Sequence, residues 1–394
     1  MQKEVYIAAT NCITPIGFDV ASNVKNILEG NSAIQKHDNK SLLDFPFFSA
    51  IVDEKELNLA FAEVGKVENY TKLEKMMILA LQPIVDRSKS EITAKTAFIL
   101  STTKGNITAL ENAQSDIESA QLSNLAKKVA IFFGFTTEPI VVSNACVSGI
   151  LAISVAKRLI QANVYENAFV VAGDLVSEFV LSGFNSFQAM SNAPCQPYSK
   201  NRTGVNLGEA TAAVLVTSNP KNAKVKILGD GSINDANHIS GPSRTGEGLV
   251  RSIESALKEA DIDKNNIGYI SAHGTATPFN DEMEAIALNR LGLQTIPMNS
   301  LKGYYGHTLG ASGLLETVIG IESVLQNKLF VSAGYDESGV SENINIIEKN
   351  SNAEIQYFLK TASGFGGAIP QYYLKKQIDF GKQHLHKSVL YDRK

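Results

Sequence analysis

Residues 141–160 read VVSNACVSGILAISVAKRLI. Val141 and Val142 fit the end of a buried strand, and Leu151, Ile153, Val155, Leu159 and Ile160 fit a helix buried on most sides. Ser143, Asn144, Ser148 and Gly149 supply turn chemistry between them. The segment therefore predicts strand, turn and helix, with Cys146 at the turn. Outward from it the same alternation continues. VYIAAT (5–10), TAFILST (96–102), AFVVAG (168–173) and TAAVLVT (211–217) read as strands, as do VKILGD (225–230), IGYISAHG (267–274), TIPMNSLKG (295–303) and EIQYFLK (354–360). VASNVKNIL (20–28), KLEKMMILALQPIVDRS (72–88), GLVRSIESALKEAD (248–261), DEMEAIALNRLG (281–292) and SGLLETVIGIESVLQ (312–326) read as helices. Such alternation predicts an α/β fold with helix layers sandwiching sheets. Pro220, in the polar stretch TSNPKNAKVK (217–226), marks a joint between two similar halves, 1–220 and 221–394. The polar, aperiodic KKQIDFGKQHLHKSVLYDRK (375–394) reads as a peripheral tail.

Composition removes several classes of function. The 394 residues carry 40 acidic and 36 basic side chains, a net charge of −4, without long blocks of either sign, so no nucleic-acid footprint is visible. The longest apolar runs are far too short to span a bilayer. MQKEVYIAATNCITPIG (1–17) lacks the apolar core and cleavage site of a secretory signal, which predicts a cytoplasmic chain with reduced thiols. Cys12, Cys146 and Cys195 are too few and too scattered for a disulfide framework or a zinc site, and no local ligand spacing supports a metal.

Four stretches carry candidate chemistry. Cys146 stands just before a helix N-terminus, whose partial positive charge favours a thiolate, with the small Ala145, Ser148 and Gly149 leaving room for a substrate. In ISAHGTATPFND (270–281), His273 ends a strand over an open loop, and Thr275 and Thr277 can hydrogen-bond an extended ligand. In NSLKGYYGHTLGASGLLE (299–316), Lys302 and Glu316 can pair and orient His307. In ASGFGGAIPQYYL (362–374), the glycines around Phe365 expose backbone amides suited to an oxyanion. Each stretch alone also admits a plain structural reading: a buried inert cysteine, a turn-capping histidine, a surface lysine, an ordinary turn before the last strand.

Taken in order, the turn cysteine, HGTAT (273–277), KGYYGHTLGASG (302–313) and GFGG (364–367) resemble the β-ketoacyl-acyl carrier protein synthases of the thiolase superfamily. The resemblance spans nearly the whole chain. ITPIGFDVASNVKNILEGNSAI (13–34) is similar to the family's N-terminal turn and first helix, GFNSFQAMSNAPCQPYSKNRTGVNLGEATAAVLV (183–216) to its mid-chain segment, and NDANHISGPSRTGEGL (234–249) to its Asp-Ala-x-His stretch. It implies two similar halves forming a five-layered α-β-α-β-α sandwich, the first carrying the nucleophile and the second the two histidines, and assembly as a homodimer or a heterodimer with a related subunit. It implies that Cys146 accepts an acyl group from the phosphopantetheine of an acyl carrier protein, and that His273 and His307 bind the malonyl thioester and support its decarboxylation. The same resemblance makes Lys302 and Glu316 a supporting ion pair and Thr275 and Thr277 pantetheine contacts. It makes the amides of Cys146 and Phe365 an oxyanion hole, and Phe365 also a gate to the acyl pocket. No resident cofactor is implied, since phosphopantetheine arrives on the carrier.

Some residues depart from the pattern. Ala368 and Ile369 follow GFGG where the family often has Thr-Asn, Tyr304 and Tyr305 are bulky, and NRTGVNLGEAT (201–211) is less acidic and glycine-rich than usual. GDLVSEFVLSGFNSFQAMS (173–191) and GHTLGASG (306–313) are similar to ketosynthases of aryl-polyene and related pigment pathways, which implies an unsaturated or aryl-capped acyl group. A thiolase would need a second reactive cysteine near the C-terminus, and none follows Cys195. A non-catalytic partner subunit of the chain-length-factor type would share the fold, but such subunits typically lose the nucleophile. An acidic carrier would call for a basic patch at the pocket mouth, with Lys72, Lys75, Lys200 and Arg202 as candidates.

Overall fold

The strand-like runs become strands covered on both faces: every residue of Thr96–Ser101, Asn167–Asp174 and Ala210–Thr217 is buried. Near-continuous apolar runs are what such double coverage demands. The computed structural model describes residues 3–88, 91–111, 116–235 and 241–377. Residues 236–240 of the Asp-Ala-x-His stretch, and 378–394 of the expected tail, lie outside the described residues.

One ten-stranded sheet organises the chain. Its strands are β1 (Val5–Ile13), β2 (Thr96–Ser101), β3 (Ile140–Val142), β4 (Asn167–Asp174), β5 (Ala210–Thr217), β6 (Val225–Asn234), β7 (Tyr269–Ser271), β8 (Met298–Asn299), β9 (Tyr357–Thr361) and β10 (Ala368–Lys376). The order across the sheet is β8-β7-β9-β10-β6-β1-β5-β4-β2-β3. At its centre β1 runs antiparallel to β6, with Val5 opposite Ile227. Outward from β1 the pairings are antiparallel to β5, antiparallel to β4, then parallel to β2 and β3. Outward from β6 the same sequence of pairings recurs through β10, β9, β7 and β8. One topology is thus laid down twice, and the chain passes from the first to the second between Thr217 and Val225.

The longer helices are α1 (Val20–Glu29), α2 (Glu54–Ala62), α3 (Lys72–Ser88), α4 (Leu122–Phe133), α5 (Ser148–Gln161), α6 (Glu178–Ser186), α7 (Glu247–Ala260), α8 (Pro278–Arg290) and α9 (Ser312–Gln326). The two-residue period of the strands sorts their side chains into layers. Ile99 and Val170 face inward with α5 and α9, whereas Phe98, Leu100, Phe169 and Val171 face α3. In the second repeat Phe358 and Tyr372 face inward, whereas Leu359 and Tyr373 face α7 and α8. The result is five layers: α3 and α4, the first repeat's strands, α5 with α9, the second repeat's strands, and α7 with α8. The middle helices are buried nearly all round, as core helices are. They meet through small residues. A Cβ on Gly149 would stand 2.6 Å from the Gly310 carbonyl oxygen, and one on Gly313 would stand 2.9 Å from Ile150 Cβ. This close approach brings the N-terminus of α5 to the loop before α9, and the candidate site is built there. Among the described residues no helix is long and apolar enough to cross a membrane.

Candidate active site

β3 ends at Val142 and α5 begins at Ser148, so the chain must reverse within five residues. Ala145 does this in the left-handed region, at φ +44°, where a non-glycine residue is held only by its surroundings. Ser148 closes the elbow: its Oγ accepts from the Asn144 amide at 2.7 Å and donates to the Ala145 carbonyl at 2.7 Å. Cys146 stands at the apex and is 7% exposed. Burial pushes its thiol up to about 11, against the pull of the Phe365 amide on its sulfur and of the Lys302 and Lys104 charges. The helix N-terminus therefore does not ionise it at rest, and desolvation wins.

His273 follows β7. Its amide donates to Glu284 Oε1 at 2.9 Å and Thr361 Oγ1 at 3.1 Å, and the Gly274 amide donates to Glu284 Oε2 at 2.9 Å. Lys302 Nζ lies 3.4 Å from His273 Nδ1, donates to the His273 carbonyl at 2.5 Å and pairs with Glu316 at 2.6 Å. An ammonium has only donors to offer, so Nδ1 of His273 accepts and the ring proton sits on Nε2. The Lys302–Glu316 pair forms as expected, but it faces His273 rather than His307. What holds His307 is different. Its amide donates to the Asn206 carbonyl at 2.6 Å and its Nδ1 lies 2.9 Å from Ser312 Oγ. Thr308 Oγ1 stands 3.1 Å from that hydroxyl, and either oxygen can donate; with Thr308 as the donor the Ser312 proton goes to Nδ1 and the ring proton sits on Nε2. The two imidazoles meet edge to face, with centroids 5.5 Å apart at 86°. Burial, reinforced at both by Lys302, holds each well below the usual histidine range, so both are neutral at neutral pH.

Cys146, His273, His307, Thr275, Thr277 and Phe365 line a single cavity of about 450 Å³. The hydroxyls of Thr275 and Thr277 are 2.8 Å apart on its wall. Phe365 rides at the tip of the β9–β10 hairpin and touches Phe184 and Phe187, at ring separations of 5.7 and 5.5 Å. Ala368 does not loosen this loop: its carbonyl takes the Gly364 amide at 2.8 Å, and β10 starts at once. Tyr304 and Tyr305 are buried in the central core, so their bulk does not narrow the cavity.

The expected basic patch is not assembled from the four named cations. Lys72 pairs with Glu209 at 2.6 Å, Lys75 is buried on Asn58, Lys200 pairs with Glu337 at 3.2 Å, and Arg202 is buried 3.8 Å from Asp281. Ser148 serves the turn as expected, but three supporting residues escaped the motif reading: Asn206, Glu284 and Ser312. Glu284 left a usable signal, since Asp281 and Glu284 in NDEMEA stand three apart on one face of α8, directly after HGTATP. Asp281 takes the Thr275 amide at 2.9 Å, and burial pushes its carboxyl up to about 6.

Known proteins resemble this chain along nearly its whole length. Over 95% of its length it is 25% identical to 3-oxoacyl-[acyl-carrier-protein] synthase 2 of Vibrio harveyi, covering 99% of that protein. It is 24% identical to a putative mitochondrial 3-oxoacyl-[acyl-carrier-protein] synthase of Schizosaccharomyces pombe, covering 95% of this chain and 99% of the relative. A chain of the solved complex of a ketosynthase with its chain length factor, from Xenorhabdus doucetiae, superposes with a TM-score of 0.84 at 24% identity, over 95% of this chain and 98% of that one. Residues 87–222 match the β-ketoacyl synthase N-terminal domain and residues 225–335 its C-terminal domain, so the chain belongs to the β-ketoacyl synthase family.

Proposed function

We propose that this chain condenses an acyl group held on Cys146 with a malonyl group delivered by an acyl carrier protein, giving a β-ketoacyl carrier two carbons longer. One observation carries the reading: the thiol of Cys146 and two neutral imidazoles converge on one cavity that opens between the two repeats. Cys146 sulfur attacks the acyl thioester, the carrier's thiol leaves with the proton, and an acyl-cysteine remains. Malonyl thioester then loses carbon dioxide, and the electron pair of the broken carbon–carbon bond passes to the thioester as an enolate. The Nε2–H groups of His273 and His307 are the donors available where that oxygen charge develops. The carbanion attacks the acyl-cysteine carbonyl, and collapse expels the Cys146 thiolate, which is reprotonated. The step needs no strong base, because decarboxylation supplies the carbanion. It requires no resident cofactor beyond the carrier's own phosphopantetheine. The aromatic wall of Phe184, Phe187 and Phe365 suits a flat, unsaturated acyl group of the polyene or aryl-capped kind.

The sheet edge at β3 is where we place a partner subunit. Ile140, Val141 and Val142 are half-buried there although β-branched, and among the described residues β3 has a strand neighbour on one side alone, leaving its outer edge to a second strand. Equilibrium sedimentation is expected to give twice the mass of the 42.5 kDa chain or a complex with a related subunit. A monomer with full condensing activity refutes this placement.

Incubation with a panel of acyl-carrier thioesters, read by intact-protein mass spectrometry, tests the function. The expected result is a gain of one acyl group, absent in Cys146→Ala and discharged by malonyl carrier. No acylation from any donor refutes the catalytic reading and points to a non-catalytic partner subunit.

A further inference from the structure

Glu316 holds two ammonium groups. Lys302 reaches its Oε1 at 2.6 Å, and Lys360, from β9, reaches its Oε2 at 2.8 Å. Lys360 is fully buried, and its remaining donors go to the Ser271 carbonyl at 3.1 Å and to the Thr361 carbonyl. A second buried lysine is costly, and nothing in the folding of β9 requires it: the neighbouring positions Phe358 and Leu359 fill their layers with apolar side chains. Its role follows from the charges around it. Glu284, from α8, is completely buried and takes the amides of His273 and Gly274 and the hydroxyls of Thr361 and Tyr198, but among the described residues forms no ion pair with a cation. Asp281 has Arg202 at 3.8 Å and Glu316 has Lys302. The buried acids Glu316, Glu284 and Asp281 are therefore matched in number by Lys302, Arg202 and Lys360. Without Lys360 the cluster carries one excess negative charge beneath the imidazoles.

We infer that Lys360 is a positioning residue for the proposed condensation: by completing a charge-balanced cluster under His273 it keeps Nδ1 of that ring the acceptor of Lys302, and so holds the ring with its Nε2–H toward the enolate. The inference rests on the condensing-enzyme reading for its chemistry, but not for its electrostatics. The charged and titratable groups that face His273 are Lys302 from the segment after β8, His307 from the loop before α9, Glu316 from α9, Glu284 from α8 and Lys360 from β9. Lys302, His307 and Lys360 each depress the His273 proton affinity, beyond the effect of burial.

The test is a histidine NMR titration of Cε1-labelled protein, with His273→Asn assigning the resonance, alongside malonyl-carrier decarboxylation across pH. Lys360→Met is expected to raise the His273 midpoint by about one pH unit and to lower decarboxylation about tenfold on the acid side. Loading of Cys146 from an acyl carrier is expected to stay within about twofold. Lys360→Met with Glu316→Gln restores the charge count and is expected to return the midpoint toward wild type, and it carries the test if the single variant does not fold. An unchanged midpoint, or a parallel loss of loading and decarboxylation at every pH, overturns the role of Lys360. Wild-type protein that neither loads nor decarboxylates would remove the condensation reading instead, while the titration still decides whether Lys360 sets the state of His273.

Discussion

A cysteine at a helix N-terminus is easily read as a resting thiolate, and Cys146 shows why position alone does not decide the matter. The dipole acts through partial charges within the first turn, whereas removal of the sulfur from water acts on its whole charge. With the thiol at about 11, only about 0.1% is ionised three units lower, near pH 8. Alkylation of Cys146 by iodoacetamide, followed by peptide mass spectrometry, is therefore expected to quicken about tenfold per unit from about pH 7 to pH 10. A plateau near neutrality would show a resting thiolate and refute this account. That Cys146 and both histidines share a site, and that Lys302 pairs with Glu316, was legible because each sits in a short run of telling neighbours. Their supports were not. Asn206 reaches His307, and Thr361 the His273 amide, from segments that only the fold brings together, while Ser312 and Glu284 stand five and eleven residues beyond their histidines in runs that do not name the partner. The sequence shows that Lys302 and Glu316 can pair; it does not show that the pair turns toward His273.

Elements were legible in proportion to length and periodicity. The helical spacing of residues 72–88 and 312–326 gives α3 and α9 with the same limits in the structure. α8 starts three residues earlier than its periodic stretch, because Pro278 at its first position is already pre-set for helix and the missing amide costs nothing there. TIPMNSLKG, read as a strand, contributes only Met298–Asn299, since β8 lies at a sheet edge with one strand neighbour. α6, EFVLSGFNS, hides a helix behind Gly183 and two serines that read as turn. That helix carries Phe184, and Phe187 caps it, so the aromatic wall of the cavity was less legible than the cysteine that shares it. Its start is marked only by Ser177, whose hydroxyl takes the Val180 amide at 3.3 Å.

The molecule as a whole is two repeats joined where β1 pairs with β6, and the site needs both, since Cys146 comes from one and the histidines from the other. A buried ion cluster ties them beneath that seam. Asp230 of β6 takes Lys157 at 2.7 Å, Arg158 at 2.9 Å and the Ser154 hydroxyl at 2.9 Å, all from α5, and Lys157 also pairs with Glu259 of α7. Burial raises the Asp230 carboxyl, but the Lys157 and Arg158 charges and the hydrogen bonds more than offset it, and the net shift is downward. A carboxyl depressed in the folded state stabilises the fold above its unfolded value, near pH 4, and that contribution is lost as pH falls through the folded value. Asp230→Ala leaves Lys157, 1% exposed, facing Glu259 alone, so a loss of about 3–5 kcal/mol is expected in urea unfolding at neutral pH. The gap between variant and wild type is expected to hold steady down to about pH 5 and to close below about pH 4. Because the cluster spans the repeats, the loss belongs in one cooperative transition, with Cys146 loading lost along it. A gap under about 1 kcal/mol, or two separate transitions, would show that the halves stand independently and that the seam between β1 and β6 does not need the cluster.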